Sequence, residues 1–222
     1  PVTEKLNLPF SSKVKTSYQG NEVGVMHACG HDAHIAVLLG VASFLSRNTD
    51  KLNGDILLIF QPAEEGGGGG RVMVEEGVFD KFQCDTVWGM HNDPKLPAGT
   101  IATRPGPLMA AVDTVRITVN AVGCHAAMPH TGIDPIAVAV QLYTAMQTIV
   151  ARNVDPIKSA VVSVTMFHAG SASNVIASSS ELTASIRTFD PEIRKLIEHR
   201  LREICKGMET AHNAVSYTHL TL

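Results

Sequence analysis

The sequence predicts an α/β first half and an α+β second half, and three patterns carry that expectation. Two short apolar runs, Ile56-Leu57-Leu58-Ile59-Phe60 and Thr86-Val87-Trp88-Gly89-Met90, have the texture of strands covered on both faces, as in a parallel sheet. Helical spacings lie before and between them, so helix and strand alternate. After Pro105-Gly106-Pro107 the texture changes. Val115, Ile117, Val119 and Ala121 alternate with Arg116, Thr118 and Asn120, which marks a sheet with one wet face.

Taken in order, residues 1–24 are polar and irregular. Ile35, Leu38, Leu39, Ala42 and Leu45 fall on one stripe, which predicts a helix over 32–44 with that stripe buried. Asn53-Gly54 makes a turn into the strand at 56–60, which stops at Gln61-Pro62. Glu64-Glu65 and five glycines, Gly66 to Gly70, come next, and a short helix over 71–76 closes at Gly77. The strand at 86–90 delivers His91. In the second half, Asp134-Pro135 supplies an N-cap and a proline at the first helical position, opening a helix to about Arg152. Strands follow at 160–167 and 181–188. Asp190-Pro191 opens a last helix carrying Ile193, Leu196, Ile197, Leu201 and Ile204. The order β-α-β-β-α is one strand short of a ferredoxin-like split βαβ unit. The expected domains are 1–106, 107–214 and a tail at 215–222.

Composition narrows the function classes. Of 222 residues, 45% are hydrophobic, enough for a packed core. The net charge is -3 with no basic stripe, which argues against a nucleic-acid or anionic-membrane surface. No apolar run reaches membrane-spanning length. Four scattered cysteines do not make a disulfide framework, so a reducing, cytoplasmic location is the expectation.

The densest chemistry lies in Met26-His27-Ala28-Cys29-Gly30-His31-Asp32-Ala33-His34. Cys29 and His31 suit a borderline-soft divalent metal, and Gly30 lets the backbone bend between them. Alone, such a pair reads more readily as ordinary polar residues at a helix start, but three histidines, a cysteine and an aspartate within nine residues favour a metal. Glu64-Glu65 sits past the carboxyl end of a predicted strand, where open α/β sheets place their sites. One carboxylate can hold a metal while the other acts as a base, or the pair can be a solvated acidic patch. His91 also follows a predicted strand. Three such segments at the ends of consecutive elements favour one shared site. The glycine run lacks the Lys-Ser/Thr ending of a phosphate loop and reads as loop plasticity beside the glutamates. His125, in Gly123-Cys124-His125-Ala126-Ala127-Met128-Pro129-His130, is either a surface histidine or an oxyanion donor. Arg187, in an alternating strand, either pairs with a carboxylate ligand or forms a salt bridge on the wet face.

Together these segments resemble the metallo-aminoacylase/carboxypeptidase family. The branch they resemble is the amidohydrolases that include hippurate hydrolase, N-acyl-amino-acid amidohydrolases and plant auxin-conjugate hydrolases. The matching pieces are the 26–34 segment, Phe60-Gln61-Pro62-Ala63-Glu64-Glu65-Gly66-Gly67-Gly68-Gly69, Gly89-Met90-His91, His125-Ala126-Ala127-Met128-Pro129-His130, Asn174-Val175-Ile176 and Arg187-Thr188-Phe189. The resemblance implies a zinc-peptidase-like α/β catalytic domain with an inserted ferredoxin-like lid that also dimerises. It implies a site for two divalent ions, Zn or Mn, with Cys29, His31, Glu65 and His91 as ligands and Glu64 as general base. It further implies that His125 serves the partner subunit's site, and that Asn174 and Arg187 hold a small N-acyl amino acid or peptide-like substrate. A dipeptidase or carboxypeptidase of the same family, or a non-catalytic metal-binding or dimerising module, is the alternative. The same resemblance makes the chain a fragment lacking both ends. Its catalytic domain would be incomplete, it would be inactive alone, and its 215–222 tail would be foreign to the family. Cys124 stands where relatives carry glycine, and it would be strained there if that backbone needed a positive φ.

Overall fold

The computed structural model describes residues 2–221, and the chain divides into two units, one up to Ile101 and one from Ala102. The second unit holds the core. Its strands β3 (Ala111–Asn120), β5 (Ala160–Ala169), β7 (Ser179–Thr188) and β8 (Val215–Thr221) form one antiparallel sheet in the order β5-β7-β3-β8. The period-2 pattern of β3 is realised: Val115, Ile117 and Val119 are buried and their neighbours turn away.

Helices α4 (Pro135–Asn153) and α5 (Pro191–His212) pack on that buried face. Both open as the Asp-Pro pairs predict. Asp134 accepts from the backbone N–H groups of Ile136 and Ala137, and Asp190 accepts from that of Glu192. Leu142, Met146 and Ile149 of α4 meet Ile193, Ile197 and Leu201 of α5 above the sheet. One charge enters this core. Asp113 is 2% exposed and takes a bidentate pair from Arg194, at 2.7 and 2.5 Å. Residues 215–221, set apart in the sequence as foreign, pair along β3 and supply the strand that completes the βαββαβ unit.

The first unit is built differently. Strands β1 (Lys15–Tyr18) and β2 (Asn21–Gly24) form a hairpin whose turn, Gln19-Gly20, has both φ values positive. Helix α1 runs His31–Ser46, close to its predicted span. Helix α2 is Gly69–Glu75, and α3 is Val78–Lys81, opened by Gly77. The two predicted buried strands do not form. Residues 56–60 and 86–90 carry no ladder, and Ile56, Phe60 and Trp88 are 52%, 47% and 89% exposed. An apolar run states what a strand would bury but not which backbone pairs with it. Among the described residues of this unit only β1 and β2 pair. The predicted α1 stripe is likewise only half covered: Leu38, Ala42 and Leu45 are partly buried, while Ile35 and Leu39 are exposed. Every described member of the hydrophobic core cluster lies in the second unit.

This asymmetry sets an expectation for stability. Leu142→Ala, at a fully buried position, is expected to cost about 2–5 kcal/mol, and Ile35→Ala, half exposed, less than about 0.5 kcal/mol. Urea unfolding followed by circular dichroism checks the pair. Equal costs would mean that α1 belongs to a core as tight as that of α4.

Candidate metal centre

The first unit brings together residues from three separate segments. Cys29 and His31 flank Gly30, whose φ of +77° is open to glycine and whose left-handed turn starts α1. Asn92 packs over this turn so closely that a Cβ on Gly30 would lie 2.5 Å from its Oδ1. Glu64 and Glu65 sit on a turn after Ala63, which itself has a φ of +53°. That conformation costs a non-glycine residue about 1–2 kcal/mol, and it swings the chain out of the extended 56–62 segment. The glycine run after it answers a steric demand rather than a need for plasticity. A Cβ on Gly69 would fall 1.8 Å from the carbonyl oxygen of Pro62.

The donor atoms of Cys29, His31 and Glu65 lie within 4.8 Å of one another. His31 Nε2 is 3.4 Å from Glu64 Oε2 and 3.5 Å from Glu65 Oε1. His91 joins from the third segment, its Nε2 lying 3.3 Å from Cys29 Sγ. His91 Nδ1 donates to the Asn92 carbonyl at 2.7 Å, which places the ring proton on Nδ1 and the lone pair on Nε2. The Cys29 thiol is pushed above its ordinary pKa, first by desolvation and then by a hydrogen bond to Glu65 and the charges of Glu65 and Glu64. No Lys or Arg pairs with either glutamate among the described residues. Thiol, imidazole and carboxylate converging without a counter-ion fit a divalent cation, and the mix of S, N and O donors is that of zinc chemistry. Cys29, His31 and Glu65 are a metal-binding set.

The remaining predicted residues belong to the second unit. His125 lies in β4 (Cys124–His125), which pairs with β6 (Val175–Ile176), and the Ala126 N–H donates to the Asn174 carbonyl at 3.0 Å. His125 Nδ1 accepts from the Ala127 N–H at 3.1 Å. Arg187 lies on the open side of β7 opposite Val112 and Val161, exposed and without an ion pair among the described residues. The wet-face salt bridge is therefore absent there. Cys124 has no positive φ, so the strain anticipated from its replacing glycine does not arise. Asn92 escaped the sequence reading. Only its place beside His91 marked it.

The sequence profile of Peptidase family M20/M25/M40 matches residues 1–219. The chain belongs to that family. It is 44% identical over 211 residues to an N-acetyl-L-cysteine deacetylase of Bacillus subtilis, covering 95% of this chain and 48% of that protein. It is 43% identical to thermostable carboxypeptidase 1 of Saccharolobus solfataricus, covering 94% and 51%. Two solved structures share the fold. A protein from methicillin resistant Staphylococcus aureus superposes with a TM-score of 0.88 at 32% identity, over 100% of this chain and 56% of its own. The Bacillus subtilis YXEP protein, a dinuclear metal binding peptidase of the M20 family, superposes with a TM-score of 0.74 at 37% identity, over 99% and 53%. The chain spans about half the length of the curated relatives it matches. The expectation of a fragment lacking both ends, with an incomplete catalytic domain and a foreign tail, is corrected. The family pattern runs through residue 219, and a family-like α/β fold with an inserted sheet-bearing lid accounts for the whole chain.

Metal uptake should follow the thiol. Cys29 must lose its proton to bind, and its pKa is raised, so the proton is still present at neutral pH. Zinc affinity is then expected to rise by about tenfold per pH unit from this one group between pH 6 and 8, with proton release on binding. Competition titrations at several pH values check it. A flat profile would remove Cys29 from the donor set.

Proposed function

We propose that the protein is a metal-dependent amidohydrolase that deacylates N-acyl amino acids or similar conjugates bearing a free carboxylate. The observation that carries this reading is the convergence of Cys29, His31 and Glu65, with Glu64, the sequence neighbour of Glu65, 3.4 Å from His31 Nε2. The deacetylase relative supports the substrate class. Cys29, His31, Glu65 and His91 would hold the metal. The dinuclear relative supports two ions. The thiol among the donors favours zinc over manganese. When bound, a divalent ion supplies Lewis acidity to water and to an acyl carbonyl.

The chain's own residues do the rest. Glu64 takes the proton of the attacking water and returns it to the amide nitrogen as the C–N bond breaks. His125 accepts the Ala127 N–H through Nδ1, so its neutral ring carries the proton on Nε2, the donor that a developing oxyanion needs. The planar guanidinium of Arg187 takes the substrate carboxylate bidentately, and Asn174 adds an amide hydrogen bond.

Strand geometry supports a two-subunit site. The loops of His125 and Asn174 lie at the Ser179 end of β7, where the Ala121 N–H donates to the Ser178 carbonyl at 2.8 Å. Arg187 is eight residues further along that strand, a span of about 26 Å at about 3.3 Å per residue. A small substrate cannot reach both ends of one lid. A homodimer through the lid lets one site draw His125 from the partner and Arg187 from its own chain.

Two experiments test this. Glu64→Gln should keep its metal and lose about 10²–10⁴-fold in kcat, whereas Glu65→Gln should lose metal first. Metal analysis beside N-acetyl amino acid hydrolysis separates the roles, and the opposite pattern would exchange them. His125→Ala should fold and bind metal normally and lower kcat by about 10²–10³-fold. Mixing it with Glu64→Gln should restore activity, because one site in each mixed dimer then carries neither defect. No recovery despite demonstrated subunit exchange would confine His125 to its own chain.

A further inference from the structure

We propose that His34 and Asn92 are a positioning pair that holds the His91 segment against the Cys29–His31 turn, setting the direction of the metal-facing lone pair. The proposal rests on the reading of His91 as a ligand. His34 stands one turn after His31 on α1, and its Nε2 lies 2.8 Å from Asn92 Oδ1 and 3.1 Å from the Asn92 backbone nitrogen. Either tautomer ties the ring to Asn92. With the proton on Nε2 it donates to Oδ1, and with the proton on Nδ1 it accepts from the N–H.

Asn92 passes this anchorage on in two directions. Its carbonyl accepts from His91 Nδ1, which leaves the Nε2 lone pair toward Cys29. Its side chain fills the space above Gly30, between the two donors Cys29 and His31. The His34 ring also packs edge-on to that of His91, with centroids 4.8 Å apart at 66°. Among the described residues, the hydrogen bonds joining these segments, 58 to 62 positions apart, are the one between His34 Nε2 and Asn92, made to Oδ1 or from the backbone N–H according to the tautomer, and the one between Cys29 and His91. Removing His34 leaves, of those hydrogen bonds, only the Cys29–His91 contact, which metal binding must itself replace. Outer groups that orient a ligand histidine typically contribute 10–100-fold to metal affinity.

The test is a cobalt(II) titration of the metal-free, reduced protein. It reads the thiolate-to-cobalt charge-transfer band and the visible d–d bands, with His34→Ala, His34→Gln, Asn92→Ala and His91→Ala beside the unaltered chain. His34→Ala and Asn92→Ala are expected to weaken cobalt binding by about 10–100-fold. They should keep the charge-transfer band, because Cys29 is untouched, and shift the d–d bands, because the His91 nitrogen is no longer aimed. His34→Gln should recover most of the affinity, since its amide returns a hydrogen-bonding group near the position of Nε2. Parent affinity and spectrum in His34→Ala would overturn the pair, as would a His34→Gln no better than His34→Ala. His91→Ala keeps the two readings apart. If it weakens binding while His34→Ala does not, the ligand stands and the positioning pair falls. If His91→Ala binds cobalt as the unaltered chain does, the ligand reading fails and takes the proposal with it. Far-UV circular dichroism accompanies each variant. Where His34→Ala does not fold, Asn92→Ala and His34→Gln carry the same comparison.

Discussion

A thiol, an imidazole and a carboxylate are drawn to one point, with no lysine or arginine paired to the carboxylate among the described residues. A second carboxylate, Glu64, stands 3.4 Å from the same imidazole. The Cys29 thiol is pushed above its ordinary pKa first by desolvation, then by its hydrogen bond to Glu65 and by the charges of Glu65 and Glu64. A divalent cation reverses the sign of that interaction, so that the groups that repel without it become its ligands. The unusual backbone of this unit serves the same end. The left-handed turns at Gly30 and Ala63 and the close passage of Gly69 past Pro62 hold short side chains inside a few ångströms of one another.

The two units divide the work between stability and chemistry. The second unit has a sheet, two capped helices and the whole described hydrophobic core. The buried Asp113–Arg194 pair adds little net stability by itself, but it leaves a costly uncompensated charge if either side is lost, which discourages other packings of β3 on α5. The first unit has the donors, a two-stranded hairpin, short helices and extended segments with exposed apolar side chains. Its local order comes from turns and hydrogen bonds such as those of His34, rather than from a core.

What was legible in the sequence follows the same division. The helices α4 and α5 announced themselves through Asp-Pro openings and periodic apolar residues, both local signals read within a few positions. The alternation in β3 fixed its buried face as well. The strand β8 was not legible, because the residues at 215–221 do not say which backbone they pair with, and they become a strand only by pairing with β3. The runs at 56–60 and 86–90 failed for the converse reason: they had strand composition and no partner backbone. Of the site, the donors showed through because Cys, His and Glu were clustered in a few short segments. Asn92 did not, because much of its role is carried by a backbone carbonyl, which every residue has.

His125, the proposed oxyanion donor, illustrates how a fold selects a proton's position without any charged partner among the described residues. His125 is exposed, and nothing charged fixes its tautomer. The tight turn after β4 presents the Ala127 N–H to Nδ1, and a backbone N–H can only donate, so the neutral ring has to carry its proton on Nε2. His91 is set in the opposite sense: a carbonyl can only accept, so the proton stays on Nδ1 and Nε2 is left bare. Two histidines of one chain thus come to opposite states, one with Nε2 protonated and the other with Nε2 bare, through nothing more than the direction of a single peptide group beside each. Substituting either ring leaves that peptide group in place. A glutamine at 91 would offer a metal only its weakly basic amide oxygen, whereas an asparagine or glutamine at 125 could still donate. Position 91, as the proposed ligand, is therefore the less tolerant of the two, although both rings lie open to solvent.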